Sequence, residues 1–138
     1  MYKFKSKKNL KEQFNISNRK TIITGGGGFL SLYFAQAISE FGGIPILVDL
    51  EQSNIKKNYD KIRKKNKCLY YYCDLQNPKE IKKVFKNIIK ENKRIDILIN
   101  AANYKSKSNK FYDNFENYDL ELWKRSIDVN LTGNFLIS

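Results

Sequence analysis

Four consecutive glycines, Gly25 to Gly28, follow Lys20-Thr21-Ile22-Ile23-Thr24 and precede Phe29-Leu30-Ser31. A β-branched run ending in glycines reads as a buried strand, so the glycines fall where the chain turns from that strand into a helix. This placement has a chemical use. Backbone amides at a helix N-terminus point outward with the positive end of the helix dipole, and glycines let a pyrophosphate approach them with no Cβ in the way. Thr24, Gly25, Gly27, Gly28, Phe29 and Leu30 are therefore candidates for holding a dinucleotide, against the alternative of a purely structural turn. The spacing Gly25-x-x-Gly28-x-x-Ser31 differs from G-x-G-x-x-G, and its last position is serine.

Asp49 closes the apolar run Ile44-Pro45-Ile46-Leu47-Val48, 24 residues after Gly25. A carboxylate there accepts hydrogen bonds from the adenosine ribose hydroxyls and repels a 2′-phosphate, which favours NAD over NADP. The alternative is an N-cap for the helix that follows. Asp74 closes the next strand in the same way, but Asp74-Leu75-Gln76-Asn77 also fits turn chemistry. With no histidine in the chain, imidazole-based acid-base catalysis and Cys/His zinc sites are excluded, and no metal site is expected. Cys68 and Cys73 share one expected strand, on opposite faces about 17 Å apart, and cannot pair with each other.

Alternating elements must position these residues. The strands are expected at 20–24, 44–49, 68–73 and 94–100. Phe29, Leu30, Tyr33, Phe34, Ala37, Ile38 and Phe41 recur at helical intervals until Gly42-Gly43 stop them, which describes a helix with a glycine C-cap. A lysine-rich helix is expected from about Gln52 to Asn66. Asn77-Pro78-Lys79-Glu80 opens the next helix with an N-cap, a proline at the first helical position and a capping-box glutamate. Its core face is Ile81, Val84, Phe85, Ile88 and Ile89. A polar, low-complexity loop around 105–110 leads to a last helix carrying Leu120, Trp123, Ile127 and Leu131. Asn130 falls on the apolar face of that helix, where a buried amide needs partners. Four strand-helix alternations predict an α/β fold with a doubly wound parallel sheet and right-handed crossovers.

At 138 residues the chain supports one domain. It is divided here into a basic N-terminal extension, 1–13, and a nucleotide-binding domain, 14–138. No apolar run reaches the roughly 18 residues of a membrane span, and Met1 to Lys8 lack a signal-peptide core, so a cytoplasmic protein without membrane contact is expected. The net charge of +12 invites a nucleic-acid reading. Lys, Asn, Ile, Tyr and Phe are all abundant and share A/T-rich codons, so the basic surface is expected to be compositional, with no nucleic-acid partner.

Together these residues resemble the short-chain dehydrogenase/reductase family over about 14–138. Thr24 to Ser31 is similar to the family's cofactor loop in its TGxxGxxG form, with serine replacing the last glycine. Asp74-Leu75 resembles the Asp-hydrophobic pair at the adenine ring. Asp96-Ile97-Leu98-Ile99-Asn100-Ala101-Ala102-Asn103 resembles the strand-four motif D-h-L-V-N-N-A-G, with Ala101 and Asn103 as departures, which implies Asn100, Ala101 and Ala102 beside the nicotinamide ribose. Ile127 to Gly133 is similar to the stretch holding the asparagine of the catalytic tetrad, which implies a catalytic role for Asn130 in holding a water linked to the catalytic lysine. The resemblance implies a Rossmann-type, three-layer α/β/α sheet in the order 3-2-1-4. It implies NAD(P)-dependent hydride transfer on a small alcohol or carbonyl substrate, and homo-oligomers of the full-length protein. Within the family, flagellin-modification and surface-sugar dehydrogenases are the most similar subgroup, which implies a sugar derivative as substrate.

In that family a catalytic serine follows the fifth strand, and Tyr-x-x-x-Lys opens the next helix. The sequence reaches Ser138 before either, and none of its tyrosines has a lysine four residues later. Without the tyrosine as general acid/base, hydride transfer lacks its proton carrier. The expectation is therefore a cofactor-binding half, inactive alone. The alternative is a catalytically inactive nucleotide-binding or interaction module.

Overall fold

A computed structural model describes residues 9, 12, 14–106 and 108–138. The basic extension at 1–13 lies outside the described residues apart from 9 and 12. Strands β1 (Lys20–Thr24), β2 (Ile44–Asp49), β3 (Leu69–Tyr72) and β4 (Ile97–Ile99) pair in parallel in the order β3-β2-β1-β4. Between and after them lie α1 (Phe29–Glu40), α2 (Ile55–Arg63), α3 (Pro78–Asn92), α4 (Leu120–Ile127) and α5 (Asn134–Ile137). The expected elements are all present; the lysine-rich helix and the last two strands are shorter than the sequence pattern drew them.

Side-chain alternation along the strands sorts the core onto two faces. Ile22, Ile46 and Val48 pack with Ile81 and Ile88 of α3, and Ile23 and Leu47 pack with Ala35, Ile38, Ile55 and Ile62 of α1 and α2. The result is the expected three-layer sandwich. Cys68 belongs to the α1/α2 cluster and Cys73 to the α3 cluster, both buried and free. Burial pushes each thiol up to about 12.

Helix α1 departs from its own pattern. Its regularly spaced Phe29, Leu30, Tyr33, Phe34 and Phe41 are exposed, and the buried residues are Ser31, Ala35, Ile38 and Ser39. The helix leaves the glycine turn and lies directly on β1 and β2, where small side chains allow the close approach that aromatic rings would prevent. Ser31, at 2% exposed, fits where a glycine was expected. The helix stops as expected: Gly42 takes a left-handed φ of +78° just after the C-cap Phe41.

Helix α3 begins with Asn77 Oδ1 accepting the Lys79 and Glu80 amides, at 3.1 and 3.3 Å. Glu80 does not return to Asn77 as a capping box would. Its Oε1 instead accepts the Asp74 amide at 3.1 Å, fastening the end of β3. Ile89, expected in the core, is 55% exposed, and Asn92 is buried instead, donating to the Ile88 carbonyl at 2.9 Å. At the opposite edge of the sheet, Asp96 accepts the Lys20 amide at 2.9 Å, Arg19 at 3.0 Å and Arg94 at 2.7 Å. That amide first, then the guanidiniums, hold its carboxyl well below the usual range.

The final helix is interrupted. Asp119 caps α4 through the Glu121 and Leu122 amides, but a π-helical turn, Asp128–Gly133, separates α4 from α5. Its wider winding shifts the phase of every later side chain.

Candidate functional site

The glycine turn, the ends of β2 and β3 and the loop after β4 meet at the carboxyl edge of the sheet around a cleft of about 300 Å³. This is the switch point, where chain order reverses between β1 and β4 and where open α/β sheets take their ligands. Of the residues named from sequence, Gly25, Gly28, Asp49, Asp74, Leu75, Ala101 and Ala102 line the cleft. Cys73, Tyr104, Lys105 and Val129 line it too and were not singled out as site residues.

Gly25 is confined on two counts. Its φ is +66°, and a Cβ there would stand 2.8 Å from the Ala101 carbonyl oxygen and from Ala102 Cα. Thr24 does not face the cleft. It is fully buried, and its Oγ1 accepts the Ala101 and Ala102 amides, each at 3.1 Å. The glycine turn and the loop after β4 are thereby locked together from below.

Asp49 is held by the turn it faces. Its Oδ2 accepts the Gly27 amide at 2.8 Å and its Oδ1 the Leu50 amide at 2.7 Å. The helix-capping alternative fails, since the N-cap of α2 is Asn54. Asp74 Oδ1 accepts the Gln76 amide at 2.9 Å in a tight turn, and the residue lines the cleft. Phe29 and Leu30 are 75% and 63% exposed and do not line the cleft.

Asn100 and Asn130 are placed differently from the rest. Asn100 is exposed, donating to the Ser138 hydroxyl at 3.3 Å. Asn130 is exposed rather than buried, as are Leu120, Trp123 and Leu131 of the apolar stripe it was expected to share. Its Oδ1 accepts the Tyr104 amide at 2.6 Å, and its Nδ2 donates to the Tyr104 carbonyl at 3.3 Å. It therefore grips the loop after β4 on both backbone groups.

Beside Tyr104 opens a second cavity of about 450 Å³, walled by Phe111, Phe115, Tyr118 and Trp123 with Asp113, Ser126 and Asn130. The low-complexity loop folds into two 3-10 turns, Asn109–Tyr112 and Phe115–Asn117. The signal for this chamber was the aromatic density between 111 and 123, which the polar reading of the loop passed over.

A four-stranded parallel sheet in this order, with a glycine turn at the carboxyl end of β1, defines a Rossmann-type domain. The family model described as short chain dehydrogenase matches residues 19–138, and the chain belongs to that family of oxidoreductases. A short chain dehydrogenase/reductase of Gibberella zeae, dpfgG, is 29% identical over 127 residues, covering 90% of this chain and 44% of that protein. The NAD-dependent glycerol dehydrogenase of Listeria innocua is 27% identical over 131 residues, covering 95% and 49%. The chain thus spans about half the length of these curated relatives. Among solved structures, NAD+-bound xylitol dehydrogenase matches with a TM-score of 0.80 at 23% identity over 88% of this chain and 46% of that one, a likeness of fold. The NADPH-dependent 3-quinuclidinone reductase of Rhodotorula rubra matches with a TM-score of 0.73 at 29% identity, covering 90% and 46%. Among the described residues, no helix is long and apolar enough to cross a membrane.

Proposed function

We propose that residues 14–138 form the cofactor-binding half of an NAD-dependent oxidoreductase that moves hydride between nicotinamide and a small alcohol or carbonyl compound, with a sugar derivative as the substrate class. The observation that carries this reading is Asp49, whose carboxylate stands in the cleft wall while fastened to the glycine turn. The pyrophosphate lies over Gly25 to Gly28, the adenosine ribose against Asp49, the adenine beside Asp74 and Leu75, and the nicotinamide ribose toward Asn100, Ala101 and Ala102. Thr24 and Asn130 act by holding the loop after β4. When bound, the cofactor supplies the hydride chemistry; these residues orient it.

The 138 residues carry no Tyr-x-x-x-Lys, so the chain binds cofactor without turning over. The longer protein assembles as a homo-oligomer through the exposed Leu120, Trp123, Leu131 and Phe135. It works in the cytoplasm without a nucleic-acid partner, and the lysine-rich surface is solvated.

Trp123 is the one tryptophan of the chain and walls the second cavity beside Tyr104, so energy transfer to bound NADH reports occupancy. NADH is expected to bind about tenfold or more tighter than NADPH, the value of a single unfavourable carboxylate-phosphate contact near the surface. D49S should narrow that gap. Tighter binding of NADPH would overturn the NAD assignment, and binding of neither would overturn the cofactor reading.

A further inference from the structure

Asn58 sits in the middle of α2 and is 5% exposed. Asparagine is a poor residue for a helix interior, and this one does not pair within its own helix. Both bonds of its Nδ2 go to the glycine turn, donating to the Gly26 carbonyl at 2.9 Å and the Gly28 carbonyl at 3.1 Å. The two donors of one amide group are thus committed to two alternate peptides of the same turn.

The consequence follows from peptide planarity, because in a trans peptide the C=O and the next N–H point to opposite sides. Drawing the Gly26 carbonyl toward α2 turns the Gly27 N–H away from it, and that N–H meets Asp49 Oδ2 at 2.8 Å. Drawing the Gly28 carbonyl the same way turns the Phe29 N–H, the first amide of α1, to the open side of the turn. Gly28 offers α1 no side-chain cap; its carbonyl is shared between Asn58 and the Leu32 amide of α1, at 3.3 Å, while the Gly26 carbonyl is drawn by Asn58.

We propose that Asn58 is a positioning residue for phosphate recognition. It fixes the peptide planes of Gly26 to Gly28, so that the first amides of α1 face the cleft and the turn stays coupled to Asp49. This inference rests on the reading of the glycine turn as a pyrophosphate site.

The test compares ADP with adenosine on the 138-residue chain, by calorimetry, for the parent, N58L and N58S. Adenosine engages only the Asp49, Asp74 and Leu75 end, whereas ADP adds the phosphates. ADP affinity should fall about tenfold or more in both variants, as expected when the Gly26 carbonyl loses its donor, the Gly28 carbonyl keeps only Leu32, and the turn relaxes. Adenosine affinity should stay within about twofold. N58S keeps the result readable if N58L does not fold, and circular dichroism identifies the folded variants. An unchanged ADP-to-adenosine ratio, or an equal loss of both ligands, overturns the role of Asn58 while leaving the cofactor reading standing. A parent chain that binds neither ADP nor NADH overturns both.

Discussion

Around the glycine turn, side chains from three elements converge on backbone: Thr24 of β1 on Ala101 and Ala102, Asp49 of β2 on Gly27, and Asn58 of α2 on Gly26 and Gly28. Around Tyr104 the fastening is a single side chain, Asn130, and the neighbouring Tyr112 and Phe115 are 70% and 90% exposed. Buried hydrogen bonds are costly to break and exposed ones are exchanged for water at little loss. The contrast teaches that the chain fixes the glycine turn, with Ala101 and Ala102 beside it, through side chains that are buried or half-buried, and holds the loop at Tyr104 through exposed ones.

The sharpest way to break the contrast is G25V. A left-handed φ costs a β-branched residue about 1–2 kcal/mol, and the overlap of the new side chain with the Ala101 and Ala102 backbone adds about 1–3 kcal/mol. NADH binding should disappear, with a lower melting temperature; a variant that binds like the parent would show that the turn is not rigid. Next comes T24V, which keeps the shape and removes the acceptor of two amides, for a loss of about 1–3 kcal/mol in thermal or denaturant unfolding. N130A should cost less, about 0.5–1.5 kcal/mol, and should leave ADP affinity within about twofold. An N130A variant that loses ADP binding, or as much stability as T24V, would erase the distinction between the two regions.

The smallest effect lies at the far edge of the sheet and is a control on both. The Asp96 carboxyl is held low in the folded protein, first by the Lys20 amide and then by Arg94 and Arg19. Its stabilisation is therefore fully present above the ordinary carboxylate value near 4 and is lost as pH falls below that value. D96N should flatten the acid limb of a melting-temperature profile below about pH 4 and leave nucleotide affinity at neutral pH unchanged.

Much of the turn could be read from sequence, because its signals are local. A β-branched run, four glycines and an acid at the end of the next strand each describe their own backbone. What escaped depends on contacts between elements. Asn58 reads as one more polar residue of a lysine-rich helix, and only the packing of α2 behind the turn gives it a role. The aromatic stripe of α1 has helical period, but period does not say which face is inward, and here the glycine turn brings the small face against the sheet. Asn130 was placed on an apolar stripe by counting along a helix, but the count does not say whether that stripe is covered, and Leu120, Trp123 and Leu131 are exposed. Glu80 has capping-box spacing yet finds the Asp74 amide, a partner supplied by the strand end.

Affinities of the 138-residue chain for the two halves of the cofactor test the difference between the two ends most directly. Calorimetric titration with ADP and with nicotinamide mononucleotide should show ADP binding within about tenfold of NAD, and nicotinamide mononucleotide far more weakly than either. Measurable binding of nicotinamide mononucleotide with none of ADP would contradict the account, since the preformed end would then not be the one built around Gly25 to Gly28.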